Sequence, residues 1–259
     1  MRIRERVALV TGASSGIGWE TAVLLAERGA KLVVHGRDER RLAELSARTG
    51  AIAVVADLAR PDELNRLVQQ AQAAHGRIDL LVNNAGLGWA GPFAAMPQRD
   101  IAELSAVNLG APIALTRAVL PDMIERGYGH LMFVSSIVAR TAVAGEALYA
   151  GTKSGLDTFA ASLRMELRGT GVGVGVVVPG VVDTAFFERR GRTYGRRRPR
   201  PLEPAAVADA LVRAVERDRP EVYRPAWLRW PVAVRGAAPA TYLRLAARFG
   251  GQTEYGQTE

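Results

Sequence analysis

The sequence predicts a three-layer α/β fold, with a seven-stranded parallel sheet between two layers of helices, and three observations lead to it. Short apolar runs alternate with helical patterns along the whole chain, as in successive βαβ units. The runs are nearly continuous in Val, Leu and Ile, which is typical of strands buried on both faces. A glycine-rich turn joins the first run to the first helical pattern. Together they favour a Rossmann-like, doubly wound domain.

Strand and helix signals alternate along the chain, and residues typical of helix ends support some of the boundaries. Pro61 and Asp62 stand where a helix begins, and Gly169 stands where a helix over 149–168 ends. Further helices are expected near 98–110 and 238–249. The seven strand candidates are 6–10, 31–36, 51–58, 80–86, 130–136, 172–180 and 222–225.

The composition limits the classes of protein that remain open. A chain of 259 residues with 48% apolar side chains is long enough for one large domain. Cysteine is absent and the three histidines are scattered, so no metal site is expected. Residues 1–12 do not resemble a signal peptide, and no uninterrupted apolar run is long enough to span a membrane. We therefore expect a cytoplasmic protein.

The formal net charge of +8 is concentrated in one stretch. Residues 189–200 hold seven arginines and no acid. Such a block indicates either an anionic partner or a solvated mobile loop, and of the two we favour the loop. We expect no nucleic-acid binding, because no RNA- or DNA-binding fold accompanies the arginines.

The turn after the first strand predicts a phosphate-binding site. In TGASSGIG, Gly12 permits a tight turn, while Gly16 and Gly18 let backbone N–H groups and the helix N-terminus approach a pyrophosphate. The spacing differs from G-x-G-x-x-G, but the strand–turn–helix context is the one that the motif requires. The other cofactor-binding candidates in this turn are Ser14, Ser15 and Ile17.

The end of the second strand predicts which dinucleotide binds. An NAD site places an acid there to accept hydrogen bonds from the ribose 2′-hydroxyl. Here Gly36 stands in that place and Arg37 follows it. A guanidinium can bind a 2′-phosphate that a carboxylate would repel, so we predict NADP(H) rather than NAD(H). Two alternatives stay open: Arg37 faces solvent only, or Asp38 turns inward.

The pentapeptide YAGTK places Tyr149 and Lys153 on one face of a predicted helix. Lys153 is one of only two lysines, with Lys31, among 34 basic residues. A fixed ammonium beside a phenol lowers the phenol pKa from its usual value near 10. A compact ammonium also differs from the planar fork of arginine, which the rest of the chain uses. The pair predicts an acid–base centre.

The motifs together resemble those of the short-chain dehydrogenase/reductases, over residues 5–190 and more loosely to about 225. They are TGASSGIG, Asp57-Leu58, NNAG at 83–86, Asn108, Ser136, YAGTK and PGVVDT at 179–184. The resemblance implies the strand order 3-2-1-4-5-6-7 and a catalytic set of Asn108, Ser136, Tyr149 and Lys153. It further implies cofactor contacts from Asp57, Leu58, Asn84, Ala85, Gly86, Tyr149, Lys153, Pro179, Gly180, Val182 and Thr184.

In that family the serine donates to the substrate carbonyl, the tyrosine transfers the proton, and the lysine binds nicotinamide ribose. The asparagine supports a water-mediated proton relay. The resemblance therefore implies an NADP-dependent oxidoreductase that reduces a medium-sized, largely apolar ketone or 3-oxoacyl-type compound. The alternatives are an NAD-dependent alcohol dehydrogenase working oxidatively and, from another class, a non-catalytic dinucleotide-sensing protein.

We expect the domain to cover residues 1–225, with a substrate lid at about 185–203. Residues 226–249 form a C-terminal extension, and 250–259 form a flexible tail. The extension interleaves Trp227, Trp230, Tyr242 and Phe249 with arginines. We expect it to pack on its own domain or on a partner subunit of a homodimer or homotetramer. The alternative is weak contact with a membrane surface.

Overall fold

The computed structural model describes residues 1–190 and 200–249. Its strands form one parallel sheet in the order β3-β2-β1-β4-β5-β6-β7, which confirms the predicted architecture. The strands are β1 Val7–Val10, β2 Lys31–Gly36, β3 Ile52–Val55, β4 Leu80–Asn83, β5 Gly129–Val134, β6 Val172–Pro179 and β7 Glu221–Arg224.

Helices cover both faces of the sheet, and several begin or end where the sequence predicts. Pro61 opens α3, and the Asp38 side chain caps α2 by accepting a hydrogen bond from the Arg41 N–H. The helices are α1 Gly16–Glu27, α2 Glu39–Thr49, α3 Pro61–His75, α4 Gln98–Ser105, α5 Ala111–Glu125, α6 Ile137–Thr141, α7 Ala147–Glu166, α8 Phe186–Arg189, α9 Pro204–Glu216, α10 Arg229–Ala237 and α11 Pro239–Phe249.

Two core layers flank the sheet because successive residues of a strand point to opposite faces. Leu9 joins the layer under α3, α5 and α7, whereas Ala8 and Val10 join the layer under α1, α2 and α9. The register pairs Leu9 with Val33 of β2 and with Leu81 of β4, so the same layer continues across the sheet. Because all strands are parallel, their carboxyl ends lie together at one edge of the sheet.

The helix expected near 98–110 is longer than the sequence indicated. After α4 the chain widens into a π-turn, Ala106–Gly110, and continues directly as α5 to Glu125. By length and composition alone, Gln98–Glu125 is apolar enough to cross a membrane. Its apolar residues Leu115, Val119 and Met123 are instead buried in the core, as in a central helix of a folded domain.

The C-terminal part lies beyond the edge strand β7. Helix α10 packs against α6 and the 3₁₀ turn Ala226–Leu228, and α11 packs against α10. Of the predicted lid at 185–203, the structure describes 185–190 and 200–203, including a bridge between Val182 and Leu202. The predicted tail at 250–259 lies outside the described residues.

Candidate active site

A cavity of about 1200 Å³ opens at the carboxyl ends of the strands. Nearly all of the cofactor-binding and catalytic candidates line it, although they come from positions between 12 and 184 of the chain. Two candidates, Gly18 and Asn108, are buried and do not line it. The lining candidates are Gly12, Ser14, Ser15, Gly16, Ile17, Arg37, Asp57, Leu58, Asn84, Ala85, Gly86, Ser136, Tyr149, Lys153, Pro179, Gly180, Val182 and Thr184.

One end of the cavity is built from backbone packed at glycines. Gly12 and Gly16 have positive φ angles of 66° and 57°, which favour glycine. The Asn84 side-chain amide donates to the carbonyl oxygens of Thr11 at 2.9 Å and of Gly12 at 3.1 Å. Asn84 of the NNAG segment therefore holds the backbone of the TGASSGIG turn in place through these two hydrogen bonds.

Gly18 was predicted to contact the cofactor, which stays a prediction; the structure shows Gly18 buried beside the cavity rather than lining it. A Cβ at position 18 would collide with the Gly12 carbonyl oxygen and the Asn84 amide. Gly18 is needed because the first turn of α1 passes directly over these groups. The Asn84 side-chain amide is already hydrogen-bonded to the Thr11 and Gly12 carbonyl oxygens, although the residue still lines the cavity.

Arg37 follows the end of β2 and lines the cavity at the end built from the glycine turn. Its side chain is 55% exposed, and its Nη1 donates to Glu103 Oε1 at 3.0 Å. A side chain at position 36 has little room, because a Cβ there would lie 3.0 Å from Ser14 Oγ. Asp38 caps α2, so its carboxylate already has a partner.

Arg41 is a second cation near this end that the sequence did not single out, although it does not line the cavity. Its guanidinium lies 4.3 Å from the Trp19 ring centroid, and its Nε is 3.4 Å from the Ser14 carbonyl oxygen. It belongs to the first turn of α2, which only the fold brings beside the glycine turn. The stretch HGRDERR contained it, but no local pattern distinguished it from Arg40.

The other end of the cavity is built from buried side chains. Ser136 is the N-cap of α6, and its hydroxyl accepts from the Val138 N–H at 3.4 Å. Ser136 also lies close enough to Tyr149 of α7 to lower the pKa of its phenol. One turn later, Lys153 is only 3% exposed and its Nζ donates to the Val134 carbonyl oxygen at 2.9 Å. The structure thus brings the predicted serine, tyrosine and lysine together.

Asn108 sits in the π-turn and holds the segment after β4. Its Oδ1 accepts from the Leu87 N–H at 2.7 Å, and its Nδ2 donates to the Leu87 carbonyl oxygen at 2.9 Å. Widened helical turns of this kind are frequent at functional sites. In this arrangement Asn108 fixes the backbone beside Gly86 rather than opening onto the cavity.

Burial shifts the pKa values of both Tyr149 and Lys153. Burial raises the pKa of Tyr149 to about 12, with Glu146 adding to the rise and Ser136 and Arg190 opposing it. In this arrangement the Lys153 ammonium is directed at the Val134 carbonyl oxygen, so the predicted lowering of the Tyr149 pKa by Lys153 stays a prediction. Burial lowers the pKa of Lys153 itself to about 8, and Asp157 partly opposes this.

Helix α8 covers the catalytic end. The Phe186 ring lies 5.4 Å from the Tyr149 ring, centroid to centroid. Arg190, which follows α8, pairs with Glu146 before α7 at 2.6 Å, and both side chains are largely buried. Arg189 Nη2 donates to Ser15 Oγ at 3.1 Å. Of the arginine-rich stretch 189–200, residues 191–199 lie outside the described part of the chain.

A polar cluster behind the catalytic helix also escaped the sequence analysis. Arg140 of α6 contacts Asp157 of α7 as well as Glu221 and Tyr223 of β7. These residues are separated by up to 83 positions in the chain, so no local motif predicted that they would contact one another. Within residues 1–190 and 200–249, no group of three or more His, Asp or Glu side chains is arranged to hold a metal ion.

Comparison with known proteins agrees with this geometry. The family model described as "short chain dehydrogenase" matches residues 6–195. A curated relative, the ketoacyl reductase HetN of Nostoc sp., is 36% identical over 222 residues, which cover 84% of this chain and 77% of HetN.

Two solved structures illustrate the likeness in three dimensions. A short-chain dehydrogenase from Sphingobium yanoikuyae in complex with NADPH has a TM-score of 0.80 at 29% identity, covering 98% of this chain and 99% of that one. A 3-ketoacyl-(acyl-carrier-protein) reductase from Brucella melitensis complexed with NADH has a TM-score of 0.79 at 26% identity, covering 85% and 98%.

Proposed function

The chain belongs to the short-chain dehydrogenase/reductase family of oxidoreductases, and we propose that it is an NADP(H)-dependent carbonyl reductase. The observation that carries this proposal is the convergence of Ser136, Tyr149 and Lys153 at one end of a cavity that has a glycine turn and Arg37 at the other. Fold alone would not support an activity, whereas this set of side chains does.

The residues present fit a dinucleotide. Gly12 and Gly16 form a cradle in which a Cβ at position 12 would lie 2.7 Å from the Ala85 backbone, so the turn offers bare backbone to a pyrophosphate. Arg37, with Arg41 nearby, supplies positive charge where a 2′-phosphate would lie. The NADPH complex of the Sphingobium protein supports this preference, whereas the NADH complex of the Brucella reductase supports the alternative cofactor, NAD(H).

The side chains of the catalytic end divide the work of a carbonyl reduction. When bound, the nicotinamide supplies the hydride. The hydroxyls of Ser136 and Tyr149 would donate hydrogen bonds to the carbonyl oxygen and stabilise the negative charge that develops there. A Tyr149 phenol with a pKa of about 12 is protonated at neutral pH, so it can give its proton to that oxygen. The Lys153 ammonium would bind the ribose hydroxyls.

The lining of the catalytic end favours a substrate of medium size and largely apolar character. Trp89, Val138, Val143 and Phe187 line the cavity with Phe186, and a substrate at Tyr149 would displace the Phe186 ring. The ketoacyl reductase activity named for HetN and for the Brucella protein supports a 3-oxoacyl-type compound within this class.

The test is consumption of NADPH or NADH against a panel of ketones, β-keto thioesters, steroids and quinones. We expect turnover with NADPH and at least one apolar ketone or β-keto thioester. Oxidation of secondary alcohols with NAD and equal or tighter NADH binding would support the oxidative dehydrogenase instead. Tight dinucleotide binding with no turnover on any compound would support the sensing protein.

The oligomeric state and the cellular location stay predictions. We propose a homodimer or homotetramer, which light scattering would distinguish, and a cytoplasmic location.

The C-terminal extension supports weak contact with an anionic membrane surface. Trp227 and Trp230 are 51% and 70% exposed, although α10 packs on α6. Residues 226–249 contain four arginines and no acid, so an identical copy would repel this surface while anionic lipid would attract it. Co-sedimentation with vesicles rich in phosphatidylglycerol, but not with neutral vesicles, is expected. A Trp230→Ala variant should bind those vesicles less.

A further inference from the structure

The buried cluster around Arg140 lies directly behind the catalytic helix and takes no part in the steps above. Arg140 Nε donates to Asp157 Oδ2, and its Nη1 donates to the Tyr223 hydroxyl at 3.1 Å and pairs with Glu221 at 2.7 Å. The side chains of Arg140 and Asp157 are only 22% and 8% exposed. A guanidinium held at three points fixes the carboxylate that it contacts.

Asp157 is placed to act on the catalytic groups rather than only on the fold. It follows Tyr149 and Lys153 at intervals of four residues on α7, so all three lie along one side of the helix. Its Oδ1 is buried and has no hydrogen-bond partner, and the same holds for the hydroxyl of Ser135. That hydroxyl nevertheless acts on Asp157, since it lowers the pKa of the carboxyl as a donor would.

These two groups meet beside the turn that presents Ser136. A buried carboxylate oxygen and a buried hydroxyl are costly unless they pair, so a small adjustment that joins them is favourable. A Ser135–Asp157 bond would then tie the end of β5 to α7. The Ser154 hydroxyl, which donates to the Ala139 carbonyl oxygen at 2.6 Å, already ties α6 to α7 on the same side.

The charge of Lys153 depends on the same carboxylate. Burial lowers the pKa of Lys153 to about 8, and the negative charge of Asp157 acts against this by raising it. Removing the carboxylate would leave the ammonium buried without an opposing charge, and the neutral amine would become the favoured form at a lower pH. The ammonium is the form that ribose binding needs, so its loss on the alkaline side would reduce activity.

We propose that Asp157, clamped by Arg140, is a positioning residue that keeps the Lys153 side chain charged and holds the Ser135–Ser136 turn against α7. The effect on turnover rests on the proposed function, whereas the effect on Lys153 does not. Arg140, Glu221, Tyr223, Ser135 and Lys153 are the charged and polar groups that face the Asp157 carboxyl.

The chain offers an unusually direct test because it contains only two lysines. Labelling with [¹³Cε]lysine gives one signal from buried Lys153 and one from Lys31, which is half-exposed and serves as an internal reference. We expect the Lys153 signal of the wild-type protein to titrate near pH 8. In Asp157→Asn its midpoint should fall by about one pH unit, a tenfold change in proton affinity, while Lys31 does not move.

Glu221→Gln is the matched control, because Glu221 contacts Arg140 but not the catalytic groups. It should leave the Lys153 midpoint at the wild-type value, and an equal shift in this variant would overturn the assignment to Asp157. If Asp157→Asn does not fold, the wild-type titration still decides. Its Lys153 signal should show a second inflection above the ordinary carboxyl value of 3.8 as Asp157 takes up a proton, and a single inflection overturns the proposal.

Turnover gives a separate readout. The alkaline limb of the kcat/KM profile should move to lower pH in Asp157→Asn and stay in place in Glu221→Gln. An unchanged Lys153 midpoint in a folded Asp157→Asn variant means that Asp157 is only structural. A wild-type enzyme with no turnover on any carbonyl compound would contradict the proposed function and leave the lysine titration to judge Asp157 independently.

Discussion

The two ends of the cavity are built in opposite ways. At the end built from the glycine turn, Gly12 and Gly16 leave bare backbone towards the cavity, and Gly12 and Gly18 pack on Asn84. At the catalytic end, Tyr149 and Lys153 are side chains whose charge states are set by burial. The first end depends on steric space and the second on electrostatics. Substitutions at the first end should therefore weaken cofactor binding, and those at the second should reduce turnover.

The largest effect is expected at the proton donor. Tyr149→Phe removes the hydroxyl but keeps the ring against Phe186, so the fold and the cofactor affinity should persist. Turnover of the best carbonyl substrate should fall by about 1000-fold, within the range of general acid–base contributions. Stopped-flow NADPH consumption measures it, and near wild-type turnover would show that another group supplies the proton.

A smaller loss of activity is expected when the buried ammonium of Lys153 is replaced by a guanidinium. Lys153→Arg retains the positive charge, yet the planar guanidinium cannot occupy the space from which Nζ donates to the Val134 carbonyl oxygen. We expect kcat/KM to fall by about 100-fold, as misplacement by an ångström can cause. Activity within a few-fold of wild type would contradict the geometric role of this lysine.

At the end built from the glycine turn the loss should appear in binding. Gly18→Ala forces the turn away from Asn84, and an overpacking cost of about 2 kcal/mol would weaken the Kd for NADPH about thirtyfold. Gly151→Ala is the matched control. Position 151 lies in α7 with nothing within 4 Å of a Cβ, so this change should leave the Kd unchanged. Fluorescence titration of both variants compares them.

The smallest effect is expected at the exposed cation. Arg37→Ala should weaken NADPH binding about tenfold and leave NADH binding unchanged, since only the former carries a 2′-phosphate. Arg213→Ala removes an equally exposed arginine from α9 and should change neither affinity. If Arg37→Ala weakens both cofactors equally, Arg37 does not select between them.

The sequence anticipated the parts of the site that short stretches encode. The glycine turn, Ser136 and the Tyr149–Lys153 spacing were all predicted, and so was the strand order. It missed the continuation of the helix at 98–110 into α5, because Gly110 and Pro112 are residues that usually mark a helix end, and only the structure shows the π-turn that leads past them. It gave no sign that Gly18 packs on Asn84, because the reach of Asn84 across 72 positions to Gly12 is not a local property.

By itself, the sequence determined the order of strands and helices, the bare backbone of TGASSGIG and the identity of the reactive side chains. It could do so because side-chain periodicity and glycine conformation act over a few residues. Only the tertiary structure decided that burial raises the pKa of Tyr149, that burial lowers the pKa of Lys153 and that Arg140 contacts Asp157. Those properties arise from the removal of water and from charges that the fold brings together, and neither can be predicted from residues adjacent in the sequence.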